Sequence, residues 1–186
     1  MRTTLLPGLV KTALFNLNRQ KERVRVFEIG ATYHLADDGF TEKQVLGGLV
    51  TGPAQPVQWG LDHSRKVDFF DLKADIEAIL SLTGANQMFT FDRFEHTALH
   101  PGQAASIKSA ATGQVVGMLG RLHPQLQNQL DFPNPAYVFE LQLDRALLAE
   151  LPAFTAISKF PESKREVSVV VSKDVIVAEL IESIKN

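Results

Sequence analysis

Asp68 to Leu82 reads DFFDLKADIEAILSL, and four apolar runs follow: Met88 to Phe94 (MFTFDRF), Ala104 to Ser109 (AASIKS), Val115 to Leu122 (VVGMLGRL) and Tyr137 to Leu143 (YVFELQL). The first stretch predicts a helix. Asp68 can cap it, and Phe69, Leu72, Ile76, Ile79 and Leu80 recur at helical spacing before Gly84 supplies a stop. The four runs that follow are short and β-prone, with only a short helix around Pro124 to Leu130 between the last two. Parallel strands need crossovers of a dozen or more residues, and no such βαβ rhythm is present. The fold class is therefore α+β: a mainly antiparallel sheet with helices on one face.

Upstream, Thr3 or Thr4 can cap an opening helix that tolerates Pro7 in its first turn, and Leu9, Val10, Ala13, Leu14 and Leu17 form its apolar stripe. The stripe ends in the polar run Asn18 to Arg23. Val24 to Leu35 (VRVFEIGATYHL) predicts a strand with Gly30 as a bulge, and Asp37-Asp38-Gly39 a turn. Val45 to Thr51 predicts a second strand, buried on both faces or closely packed through Gly47 and Gly48. A polar connection with Pro53, Pro56, Trp59 and Gly60 leads back to the Asp68 helix. Downstream, a short helix near Asp144 to Glu150 ends the block and Leu151-Pro152 begins a seam. After it, Glu166 to Val171 reads as a strand and Asp174 to Ile184 as an amphipathic helix. One strand and one helix cannot bury a core alone, so residues 1–152 form one domain and 153–186 the start of another.

The 186 residues are 45% hydrophobic and 22% charged, as in an ordinary globular chain. A net charge of -2 gives no broad basic field, so any role on RNA has to be local. The chain has no cysteine, which excludes disulfides, thiolate chemistry and cysteine zinc sites. No apolar run approaches the roughly 20 residues of a membrane helix, and MRTTLLPGLVKT lacks the features of a secretory signal. The expectation is a soluble, cytoplasmic protein that binds no membrane.

Few residues suggest chemistry. His96 and His100 have the i, i+4 spacing that would set two imidazoles on one metal if the segment were helical. Pro101-Gly102 follows at once, though, so a turn with His100 bonded to nearby backbone fits better. Gly117 and Gly120 lie inside an apolar strand and form no phosphate loop. Asp71, Asp75 and Glu77 fall outside the apolar stripe of their helix, as solvating carboxylates do. Glu28 sits among Phe27, Ile29 and Gly30, where burial without a partner would be costly. It is a substrate contact, one half of an ion pair with Arg2 or Arg23, or simply exposed on the open face of the sheet. No catalytic residue and no metal ligand is assigned.

An ordered series of short motifs gives a stronger signal. Met1 to Leu9 (MRTTLLPGL), Asn16-Leu17-Asn18-Arg19 and Phe27-Glu28-Ile29-Gly30 resemble the start of the catalytic-like module of bacterial phenylalanyl-tRNA synthetase β subunits. Val67 to Lys73 (VDFFDLK), His100 to Ala105 (HPGQAA), Gly120 to Pro124 (GRLHP) and Tyr137 to Leu141 (YVFEL) match the same family in the same order. Ser158-Lys159-Phe160-Pro161, then Lys164-Arg165-Glu166, resemble the entry to its ferredoxin-like anticodon-binding domain. There the family more often shows Arg-Arg-Asp, a change that keeps the charges.

The resemblance implies a class II synthetase-like antiparallel sheet over 1–152 and a truncated ferredoxin-like βα unit over 153–186. It implies a parent enzyme of α2β2 form that joins phenylalanine to tRNA-Phe with ATP and magnesium. Catalysis would belong to the α subunit, and Met1 would fall inside a longer polypeptide. This module would be a degenerate copy lacking the ATP-binding arginines, with the family's magnesium carboxylates upstream and most of its anticodon surface downstream. Its role would be to pack on the α subunit. The Leu9, Val10, Leu14 and Leu17 stripe is then an interface, unless it is plain core. The alternative is a vestigial cleft that holds a small molecule near Glu28.

Overall fold

The computed structural model describes residues 1–36, 39–82, 88–147, 160–161, 163–172, 175 and 177–185. The chain divides into two compact units, Met1–Pro152 and Ala153–Asn186. The first contains α1 (Leu6–Leu17), β1 (Val24–Ala36), β2 (Gly39–Thr51), α2 (Phe69–Ser81), β3 (Phe89–Arg93), β4 (Leu99–Ser109), β5 (Val115–Leu122), α3 (Pro124–Gln129), β6 (Ala136–Gln142) and α4 (Leu143–Ala146). The strands make one 6-stranded sheet in the order β1-β2-β6-β5-β4-β3, antiparallel at every step. The α+β class and the antiparallel sheet expected from the sequence are what the chain forms.

Helices cover both faces of the sheet, where the sequence had suggested one. Successive residues of a strand point to opposite faces. On β2 and β6, Val45, Leu49, Ala136 and Val138 pack with Leu6, Leu9 and Ala13 of α1. Their neighbours Leu46, Val50, Tyr137, Phe139 and Leu141 pack with Leu72, Ile76 and Leu80 of α2. The unbroken apolar runs of these two strands require cover on both sides, which one layer of helices cannot give.

The α2 helix starts as its sequence predicts. Asp68 accepts from the amides of Phe70 and Asp71, and Asp71 accepts from the amide of Asp68, a reciprocal capping box. The α1 helix starts differently. Its N-cap position is Leu5, and the Thr4 hydroxyl accepts from the amide of Leu6 at 3.1 Å. Gly30 is no bulge, because pairing with β2 continues through it to Val45. Its missing side chain has another cause: the Arg2 guanidinium occupies the space a Cβ would need. Ala36 pairs with Gly39 across the hairpin, and the Asp37-Asp38 part of the predicted turn lies outside the described residues.

Gly84, the Leu148 to Glu150 end of the helix expected after Asp144, the Leu151-Pro152 seam, Ser158-Lys159 and Asp174 also lie outside the described residues. In the second unit, α5 (Val177–Lys185) forms where a helix was expected. The strand expected at Glu166 to Val171 does not: residues 163–172 join no ladder, and Val167, Val169, Val170 and Val171 are exposed. A valine-rich run becomes a strand only when another strand takes up its amides and carbonyls.

Candidate functional site

The α1 face of the sheet holds the residues singled out by the sequence. One cross-strand row joins Glu28 to Gly47, Gly47 to Glu140, Glu140 to Met118 and Met118 to Ser106. Gly47 lets α1 lie close, since a Cβ there would come within 3.1 Å of Leu9 Cδ1 and 3.2 Å of the Leu5 Cβ. The two carboxylates on either side of it tie down the segment leading into the helix. Glu140 Oε1 accepts from the Thr4 hydroxyl at 2.7 Å and the Leu5 amide at 2.5 Å. Glu28 Oε1 accepts from Arg2 Nη1 at 2.6 Å. Arg2 Nε donates to the Ala31 carbonyl, and the Arg2 carbonyl accepts from the Tyr33 amide. Glu28 therefore has Arg2, not Arg23, as its ion-pair partner.

The stripe on α1 splits in two. Leu9 is buried over Gly47, whereas Val10, Leu14 and Leu17 are half-buried. Val10 and Leu14, with Leu6, Leu122, Leu126 and Leu130, line an apolar groove of about 420 Å³ between α1 and α3. Leu17 lies outside that groove and borders a polar hollow with Lys21 and Lys66.

Three histidines act as local caps. Nδ1 of His96, His100 and His123 accepts from the amides of Ala98, Gly102 and Gln125, at 3.2, 3.0 and 3.2 Å. His100 is the second residue of β4, in an irregular stretch of that strand between Leu99 and Ala104, rather than in a loop. Among the described residues, no group of three or more His, Cys, Asp or Glu side chains is arranged to hold a metal ion. The carboxylates of α2 are paired: Asp71 with Arg65, Asp75 with Arg25 and Glu77 with Lys73. The Arg65 hydrogen bonds hold the Asp71 carboxyl below its ordinary value, while burial pushes the Tyr137 hydroxyl above its own.

Sequence reasoning missed Glu140 and a polar cluster of Thr32, His34 and Lys43. Thr32 is 1% exposed, and its hydroxyl lies 3.3 Å from His34 Nε2 and donates to the Lys43 carbonyl at 3.4 Å. The available signal was the same as for Glu28, a polar residue inside a strand. The buried residues that pack with α1 on this face, Val24, Val45 and Leu49, lie toward one end of β1 and β2, and Thr32, His34 and Lys43 lie toward the other.

The sheet resembles those of solved synthetases. Two structures of pyrrolysyl-tRNA synthetase from Desulfitobacterium hafniense match over 80% of this chain and 49% of theirs, with TM-scores of 0.52 and 0.56 and identities of 16% and 18%. Such identities speak for the fold alone. Curated relatives named phenylalanine–tRNA ligase beta subunit are far nearer in sequence. The one from Nitrosococcus oceani is 45% identical over 188 residues, that from Methylococcus capsulatus 43% over 184, and that from Coxiella burnetii 40% over 186. The chain is covered almost whole in each case, yet it spans only 23% of their length. The family model described as phenylalanyl tRNA synthetase beta chain CLM domain matches residues 1–143. With most of its length matched by that model, the chain belongs to the phenylalanyl-tRNA synthetase β-chain family.

Proposed function

We propose that this chain is a non-catalytic scaffold module of a phenylalanine–tRNA ligase, packing on the ligase's α subunit through the outer side of α1. The observation that carries this reading is the groove lined by Val10, Leu14, Leu122, Leu126 and Leu130, an apolar surface that the described residues leave open. Helix faces of this kind are stable in water when a partner covers them. The carboxylates on the same face support the reading, because Glu28 and Glu140 are engaged in holding residues 2–5. In the parent enzyme, an α2β2 assembly of the cytoplasm, ATP and magnesium would serve the aminoacylation of tRNA-Phe. Among the described residues, no cluster of His, Asp or Glu side chains is arranged to hold the ion. Residues 153–186 are the beginning of the ferredoxin-like anticodon-binding domain in this reading. No described helix is long and apolar enough to cross a membrane.

The test is to co-express the chain with the α subunit and to assay the purified chain alone. Stable co-purification is expected, and no phenylalanine-dependent ATP–pyrophosphate exchange by the chain alone. Exchange above background by the isolated chain would overturn the non-catalytic assignment.

A further inference from the structure

The α1 face is covered only in part. α1 lies over the Val24 and Glu28 end of β1, and past Gly30 the sheet carries a cleft of about 170 Å³. Val45, Phe94 and Met118 make its apolar wall, and Thr32, His34 and Lys43 its polar end. Glu28 does not line it. An apolar void of roughly 150 Å³ accommodates a benzene ring, so the cleft has room for one ring and a short substituent.

The polar end is an organised one. The buried Thr32 hydroxyl ties the His34 ring to the Lys43 backbone, so both side chains start from fixed positions. Among the described residues, Lys43 forms no ion pair. The other charge in the cleft, Glu140, is opposite Gly47, four residues along β2 from Lys43. That separation is roughly 13 Å at the rise of a strand. The cleft therefore has a cationic donor end and an apolar wall, and its carboxylate is engaged by the Thr4 hydroxyl and the Leu5 amide.

We propose that this cleft binds a small aromatic carboxylate, its ring against Phe94 and Met118 and its carboxylate at Lys43 and His34. Ring–ring and sulfur–ring contacts favour a flat apolar body, and an ammonium donor favours an anion over a neutral group. The site is independent of the scaffold role and uses none of the groove beside α1.

Benzoate is the probe, titrated into the full chain and followed by backbone amide resonances, with benzylammonium as a control of like shape and opposite charge. For a ligand this small, binding in the millimolar range is expected. The shifts should concentrate at residues 32–34, 43 and 118. Benzylammonium should bind at least about tenfold more weakly, and Lys43→Gln should weaken benzoate by about tenfold. Absence of localised shifts, equal binding of the two probes, or unchanged affinity in a folded Lys43→Gln variant would each overturn the proposal. The two probes on the unaltered chain decide the matter if that variant does not fold.

Discussion

Glu140 and Glu28 flank Gly47 on one row of the sheet, and both anchor the segment before α1, but their energetic weights differ. Replacing Glu140 by Ala strands the Leu5 amide beneath a residue that is 1% exposed, along with the Thr4 hydroxyl. A loss of about 1–3 kcal/mol is expected from urea unfolding. Glu28→Ala removes a solvent-accessible pair and should cost less than about 1 kcal/mol in the same experiment. Asp71 sets a pH dependence. Its carboxyl is held below the ordinary 3.8 by Arg65, so the stability it confers is full above that value. That contribution is lost as pH falls through the lowered one. Asp71→Asn should therefore narrow its stability gap to the unaltered chain in acid unfolding below about pH 4. At this scale the sequence disclosed that Glu28 needed a partner, since a carboxylate stood in an apolar strand. It could not disclose the partners of Glu140, because Leu5 is 135 positions away along the chain.

Among the elements, α1 and α2 differ in how openly they could be read. α2 has a side-chain capping box and a regular stripe, so its start is visible in local chemistry. Asp68→Ala should cost about 1 kcal/mol by thermal or urea unfolding. α1 has no such cap and is held by the sheet through Glu140 and Gly47, which periodicity does not show. Periodicity also grouped Leu9 with Leu14, whereas packing separates them. Leu9→Ala should cost roughly 2–5 kcal/mol, as for a leucine buried in a core. Leu14→Asp, at the edge of the groove, should leave the fold intact by circular dichroism with a much smaller loss. The second helical layer was legible in principle from the continuous apolar runs of β2 and β6, which alternation on one buried face would not produce.

For the whole molecule, an antiparallel sheet followed from strands that arrive without helical crossovers. The order β1-β2-β6-β5-β4-β3 did not follow, because β6 pairs with β2, a strand far from it in sequence, as well as with its predecessor β5. The valine-rich run after residue 165 exposes another limit of local reading, since strand propensity acts only where a neighbouring strand exists. Family membership was carried by motifs in fixed order, and physical reasoning about single residues would have stopped at an α+β sheet. The motifs do not reveal chemistry on this piece of chain, and the geometry assigns its conspicuous carboxylates to internal anchoring. For a protein partner, the fold offers the groove beside α1. The most direct test is the affinity of the full chain for the purified α subunit, compared between the unaltered sequence and Leu14→Asp. The account predicts a stable complex that Leu14→Asp weakens by at least about tenfold while the chain stays folded; no complex, or one indifferent to that charge, would contradict it.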